Sequence, residues 1–378
     1  MSDPTSPNVN QKIEITNEDL LAPTVETRIE QLRAAAAPQM VRAVGAPGPG
    51  SVAGKRPWYR LGVVSLGLAG LVGGIVGSLF AELVAQNESD SPWYGDSPKV
   101  ATIIWITSFA IVLGSVLVGW AGIEARSGTK AFLDIAKAAP FLLGGAIAGG
   151  WLAQVIYEPM VENVYRDAIE SSDSVEEFQR ALLNGLHFPR GLAWAIFGGF
   201  LGLAVGGSRL ALRPAINGLV GGLIGGFIGG FTFDFVGEAI DNGTVMRVIG
   251  MSITGVLIGV AIGLVEEATK QHWLEIVSGG MAGKQFILFQ SRTTVGAAPS
   301  CGVTLIKDPG LAPEHLLLNS TGASLEATAI NPSYPMQING VAAASARLGD
   351  GDLITIGSTI LRYRSKSDAM PTVAPSMK

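Results

Sequence analysis

One spacing occurs three times in this chain and constrains its fold more than any other feature. Gly73, Gly77, Ser78 and Glu82 recur as Gly145, Gly149, Gly150 and Gln154, and again as Gly225, Gly229, Gly230 and Asp234. Each set reads G-x-x-x-G-[GS]-x-x-x-[EQD] inside a long apolar stretch, and a second apolar stretch follows each one. Small residues four apart share one helix face and let a neighbouring backbone come close. The repeat predicts three membrane helical hairpins running as parallel repeats, with a differently composed region behind them.

The apolar segments are about 61–84, 100–123, 138–156, 191–211, 215–236 and 246–265. Each is long enough to cross about 30 Å of hydrocarbon at about 1.5 Å per residue. Backbone groups in lipid must pair internally, so these segments are helices. Composition agrees: charged residues make up 15% of the chain, against about 25% in an ordinary soluble domain. The membrane domain is assigned to residues 58–268. A polar arm rich in Pro, Gly and Ala, residues 1–57, precedes it and reads as disordered and cytoplasmic. The first apolar run begins near Leu61, too deep for a cleaved signal peptide.

Orientation follows from the basic residues. Lys55, Arg56, Arg60, Arg126, Lys130, Lys137, Arg209 and Arg213 flank one side, while the opposite loops are mostly acidic. This places a multi-pass protein in the inner (plasma) membrane with both termini in the cytoplasm. The loop 161–189 is expected outside the membrane, lying on its surface as short helices or packing on the other external loops. Glu124, Glu266 and Glu267 read as solvated at the cytoplasmic ends. Pro140 and Pro214 read as span entries and Pro159 as an exit, leaving the spans free of internal proline.

Glycine ladders mark the packing faces. Gly198, Gly202 and Gly206 form one, Gly218, Gly222, Gly226 and Gly230 another, and Gly255, Gly259 and Gly263 a third, beside the motif glycines Gly73, Gly77, Gly145 and Gly149. Such faces supply van der Waals contact where no hydrophobic driving force acts. Glu82, Gln154 and Asp234 occupy equivalent places in the three repeats. One reading makes them an intramembrane polar ring for an ion or proton. The other places them near the outer interface, hydrogen-bonded to neighbouring helices.

From Trp273 the pattern changes to short alternating runs broken by Gly, Pro, Asn and Asp, which implies a β-sandwich. Candidate strands are Lys284–Gln290, Gly302–Ile306, His315–Leu318, Ala323–Ala329, Met336–Ile338 and Leu353–Arg364. Thr294-Val295-Gly296, Val303 to Asp308, His315, Ile338-Asn339-Gly340 and the run Leu348 to Gly357 appear in a fixed order, with Asp350, Gly351 and Asp352 inside the last. This order, over residues 273–365, resembles the forkhead-associated (FHA) domain; residues 366–378 read as a tail. The resemblance implies an eleven-stranded sandwich whose loops in many members bind phosphothreonine peptides. It also implies an Arg after the first Gly, a Ser in an S-R-x-H run and an Asn in an N-G-T run as phosphate ligands. Here the first position is Ala297, the S-R-x-H run is Ala312-Pro313-Glu314-His315, and the N-G-T position falls near Tyr334-Pro335-Met336. Scaffold positions match while phosphate ligands do not, and Arg292 and Lys307 are the nearest cations in sequence.

The chain thus reads as a Gly-rich membrane bundle of six transmembrane helices followed by an all-β FHA-like sandwich. No catalytic, cofactor or metal motif stands out. Cys301 is the single cysteine, read as a small buried residue, and the three histidines are scattered. A net charge of −5 gives no footprint for nucleic acid. The expected role is a membrane scaffold or recruitment module that holds a cytoplasmic protein partner through residues 273–365, independently of phosphorylation. Two alternatives stand beside it: a channel or transporter regulated by the FHA-like domain, and a true phosphothreonine reader. The expected surroundings are a lipid bilayer, and a homo-oligomer is left open.

Overall fold

The computed structural model describes residues 40–42, 61–86, 98–240, 242–305, 308–321 and 324–366. Apart from 40–42, the arm expected to be disordered lies outside them, as do the tail from 367, the position of Lys307 and the side chain of Asp234. The helices are α1 Gly62–Gln86, α2 Pro98–Glu124, α3 Gly128–Ser171, α4 Val175–Gly207, α5 Leu212–Ala239 and α6 Gly243–Thr269. All six are long and apolar enough to cross a membrane. Side-chain caps start three of them: Ser127 accepts from the Lys130 N–H, Ser174 from Glu177 and Asn242 from Val245.

The helices close into a ring, each packed on the next and α6 on α1. Glycine makes this approach possible. A methyl on Gly202 would overlap the Gly218 carbonyl of α5, and one on Gly198 the Gly222 carbonyl. The α1–α6 seam repeats this with Gly70 and Gly255, while Gly259 abuts the Leu66 carbonyl. Side chains fill the ring where α2 and α4 meet across it. Phe109 and Phe197 stack with centroids 6.3 Å apart, and Trp194 meets Phe197 edge-on at 5.3 Å. Leucine, isoleucine and phenylalanine on the outward faces of α1, α3 and α5 stay exposed, as a lipid-facing surface requires.

The segment 161–189 is a correction. Instead of short helices on a surface, α3 and α4 continue as one antiparallel pair that turns at Ser172–Ser174. At about 1.5 Å per residue α3 is about 66 Å long, well beyond a bilayer. Contacts between the two extensions support it: Tyr165 meets Phe178 edge-on at 5.5 Å, and Gly185 seats the Val164 side chain. Pro140 and Pro159 therefore lie inside α3 and Pro189 inside α4; Pro140 stands at the start of the expected span 138–156, and Pro159 and Pro189 fall in the extensions beyond the expected spans.

The sandwich begins immediately after α6. Its strands are β2 His272–Ser278, β3 Gln285–Ile287, β4 Arg292–Gly296, β5 Val303–Thr304, β6 Leu316–Thr321, β7 Ser324–Ala329, β8 Met336–Ile338, β9 Val341–Ala343, β10 Ser345–Leu348, β11 Leu353–Ile356 and β12 Thr359–Ser365. A further strand, β1 Met40–Arg42, joins from the arm and pairs parallel with β10. The sheets are ordered β1-β10-β7-β6-β4-β5 and β3-β2-β12-β11-β8-β9. Inward side chains alternate along β12, where Leu361 and Tyr363 join Leu274, Val295, Leu316 and Ile354 in the core. The expected strand Leu353–Arg364 is split by a turn in which Gly357 takes φ +55.

The sandwich packs on the end of the ring where α6 finishes. Lys284 pairs with Glu124 of α2 at 2.9 Å, and that carboxylate also accepts from Ser65 of α1 at 2.5 Å. Arg209 pairs with Glu266 at 2.6 Å and covers the Phe289 ring at 5.4 Å, while the Gln290 amide donates to the Arg209 carbonyl at 2.8 Å. Lys366 donates to the Ala268 carbonyl at 2.9 Å. Glu124 and Glu266 are expected to be solvated; Glu266 is instead buried, while Glu124 stays exposed and pairs with Lys284 at this junction.

Candidate interaction site

The loops after β4, before β6 and after β7 meet at one end of the sandwich. Gly296 lets them approach, because a methyl there would overlap the Pro313 carbonyl. Beyond it the Ala297 N–H donates to the Ala312 carbonyl at 3.0 Å and the Ala298 N–H to Pro313 at 2.8 Å. His315, 0% exposed, fastens the three loops. Its Nδ1 accepts from the Ala312 N–H at 3.3 Å, so Nε2 carries the proton and donates to the Pro335 carbonyl at 3.4 Å. Tyr334 meets its ring edge-on at 5.8 Å. Burial pushes its pKa below the ordinary value, in keeping with a neutral ring. Cys301 lies against the Pro313 carbonyl at 3.2 Å, and burial raises its pKa, so it stays a thiol.

Among the described residues this end offers little to a phosphate. Ala297 and Ala312 bring no side-chain donor, and the N–H groups of Ala297 and Ala298 are spent on neighbouring carbonyls. Arg292 stands at the other end of β4, about 13 Å away at the rise of a strand. Glu314 adds negative charge to the exposed surface. A phosphate dianion needs charge-assisted donors, and the described loops are built to hold one another.

The other matched positions brace the fold. Asn339 and Gly340, at φ +52 and +83, form the two-residue turn between β8 and β9. The Asn339 amide donates to Asp352 at 2.8 Å and its oxygen accepts from the Leu353 N–H at 3.0 Å. Asp352 also accepts from the Gly349 N–H at 2.7 Å, and Gly351 turns the chain at φ +92. Asp350 receives the Ser365 N–H at 2.9 Å. Asp308, which the sequence shows only as the end of the run Val303 to Asp308, caps the Gly357 turn. It accepts from the N–H groups of Gly310 and Ser358 and from the Thr359 hydroxyl. Burial alone would raise its pKa, but these donors hold it below the ordinary carboxylate value.

In the membrane ring Glu82 does not face a pore. It is 7% exposed and binds Arg247 of α6 through both oxygens, at 2.6 and 2.8 Å. Gln154 donates to Glu158 on its own helix at 3.1 Å. Glu82 and Gln154 thus each have a partner of their own, and the Asp234 side chain lies outside the described residues. Glu82→Ala should destabilise the α1–α6 seam by about 1–3 kcal/mol. That is less than the 3–5 typical of a fully buried pair, because the Arg247 side chain is 41% exposed. Thermal unfolding of the detergent-solubilised variant checks this, and Glu82→Ala with Arg247→Ala should recover part of the loss.

Residues 275–367 match a family model described as the inner membrane component of T3SS, cytoplasmic domain. No curated protein matches the chain. Among solved structures, the cytoplasmic domain of the T3SS sorting platform protein PscD from P. aeruginosa is 20% identical; 29% of this chain and 98% of that chain are covered, with a TM-score of 0.24. The FhaA FHA domain, solved in complex with an intracellular domain, is 22% identical over 25% of this chain and 99% of its own, with a TM-score of 0.23. The FHA domain of an Arabidopsis thaliana hypothetical protein is 25% identical over 26% and 86%, with a TM-score of 0.24. These likenesses concern the sandwich and carry nothing about its ligands. The chain is thus six apolar helices joined to an FHA-like β-sandwich, and that C-terminal region matches the cytoplasmic domain of a T3SS inner-membrane component.

Proposed function

We propose that this protein is an inner-membrane scaffold whose FHA-like domain recruits a protein partner without reading phosphorylation. The observation that carries this reading is the loop end of the sandwich. The positions that bind phosphate in phosphopeptide-reading relatives hold Ala297 and Ala312, and the nearby N–H groups are bonded within the loops. The bias of basic residues towards the end that bears the sandwich favours a cytoplasmic placement. The aromatic packing between α2 and α4 favours a structural role for the helices over a conduction path.

The test is recovery of partners on the full-length protein from detergent-solubilised membranes, with and without phosphatase treatment. A partner that is retained after phosphatase supports the reading. A partner lost on treatment contradicts it.

A further inference from the structure

One sheet edge of the sandwich is filled by the chain's own arm. β10 pairs antiparallel with β7 on one side and parallel with β1 on the other. Among the described residues, three of the arm, Met40–Arg42, make this addition. Residues 43–61 separate them from α1 and include four glycines and three prolines. An extended segment laid on a sheet edge gains main-chain hydrogen bonds, and its alternate side chains give specificity. Three residues gain few such bonds, and ordering each costs about 1–2 kcal/mol. β1 is thus a weakly held occupant of an edge that accepts extended chain.

The register shows what would hold this edge better. Met40 stands opposite Ser345, Val41 opposite Ala346 and Arg42 opposite Arg347. Ala346 is 0% exposed and belongs to the core, so an apolar residue in the Val41 place continues the core face. Arg347 is exposed and donates to the Ser324 hydroxyl at 3.2 Å. Like charges directly opposite disfavour strand pairing, and opposite charges favour it. The arm supplies an arginine where an acidic residue would fit. β10 also starts beside the loop end: the Ala329 N–H donates to the Ala344 carbonyl at 2.8 Å, and the Ile330 N–H to the His315 carbonyl at 3.0 Å. A segment that extends before the Met40 place therefore runs towards that end.

We propose that the β10 edge is the partner-binding surface of the sandwich. The partner contributes an extended, unphosphorylated segment that pairs parallel with β10, with an apolar residue opposite Ala346 and Asp or Glu opposite Arg347. Met40–Arg42 occupy the edge until such a segment displaces them. This inference rests on the reading of the sandwich as a recruitment module and names the kind of partner it recruits. Backbone pairing requires no phosphate, in keeping with Ala297 and Ala312 at the loop end. Exchange of arm strands between two copies is the competing occupant. Arg42 would again oppose Arg347 in that pair, so charge favours a different chain.

The test measures fluorescence anisotropy of labelled synthetic peptides on the full-length protein in lipid nanodiscs. The peptides carry the sequence of residues 38–46, either native or with Arg42→Glu. In the protein, Val41→Pro with Arg42→Pro removes two adjacent N–H groups from the arm strand and frees the edge. The freed edge should bind the Arg42→Glu peptide about fivefold more tightly than the native one, a difference of about 1 kcal/mol. Adding Arg347→Glu should reverse that order, which mere loss of structure cannot do. Arg347→Gln, which should equalise the two peptides, serves if the reversal variant fails to fold. Wild type should bind the Arg42→Glu peptide more weakly than the freed protein does. The inference is overturned if the freed protein binds neither peptide, if the order survives substitution of Arg347, or if wild type binds as tightly as the freed protein. Native mass spectrometry addresses the competing occupant: a wild-type oligomer that the proline variant loses overturns the partner assignment in favour of a second copy. The peptides bear no phosphate and require no recovered partner. Failure here therefore counts against the edge, while the phosphatase comparison separately tests the recruitment reading.

Discussion

Replacing Gly202 by leucine should force α4 and α5 apart and destabilise the membrane domain by more than about 3 kcal/mol. Overpacking in a core usually costs less, because side chains rotate away. Here the first atom added would meet the Gly218 carbonyl, which belongs to the facing backbone. No rotamer relieves that overlap, so the helices must separate. Separation would also strip contact from Gly198, Gly206, Gly222 and Gly226, which share the seam. Gly144 supplies the control, since a Cβ there would meet nothing within 4 Å. Gly144→Ala should be neutral or stabilising by up to about 1 kcal/mol, the intrinsic helix preference of Ala over Gly. Thermal unfolding in one detergent reads both variants, and equal behaviour would contradict the packing account.

Asp308→Ala should unfold the sandwich more easily by about 3 kcal/mol. Three donors, the N–H groups of Gly310 and Ser358 and the Thr359 hydroxyl, lose a charged acceptor at a site that is 7% exposed. The pH dependence has a defined sign. The folded-state pKa lies below the ordinary value of 3.8. The stabilisation from ionised Asp308 is therefore fully present above 3.8 and is lost as pH falls through the folded-state value. The variant should be less stable than wild type at neutral pH, and the gap should narrow as acid is added. A gap that widens in acid would mean that the carboxyl is not held ionised by these donors.

Much of this architecture is legible in the sequence because its signals are local. The G-x-x-x-G spacing and six apolar runs announce the hairpins, and the L-G-D-G-D-L-I-T-I-G run announces the sandwich. What was missed depends on partners distant in sequence. Arg247 lies 165 residues from Glu82, so the repeat shows the carboxylate but not its guanidinium. The apolar run shows the third span over 138–156 with Pro159 at its exit, but not that the helix runs on, through both prolines, to Ser171. Glu124 and Glu266 sit at helix ends, where water is the default partner; only the docked sandwich brings Lys284 and places Arg209 between Glu266 and Phe289. Asp308 lacks a signature of its own, because its role comes from a turn about 50 residues further on.

The measurement that bears most directly on the central claim is a binding comparison on the full-length protein in lipid nanodiscs. Peptides from a recovered partner are titrated in matched forms, with threonine or phosphothreonine at each site. The account predicts equal affinity for the two forms, within about twofold or roughly 0.4 kcal/mol. A phosphothreonine form that binds ten times tighter or more would contradict it, and would mean that the loops around His315 open to release the N–H groups of Ala297 and Ala298.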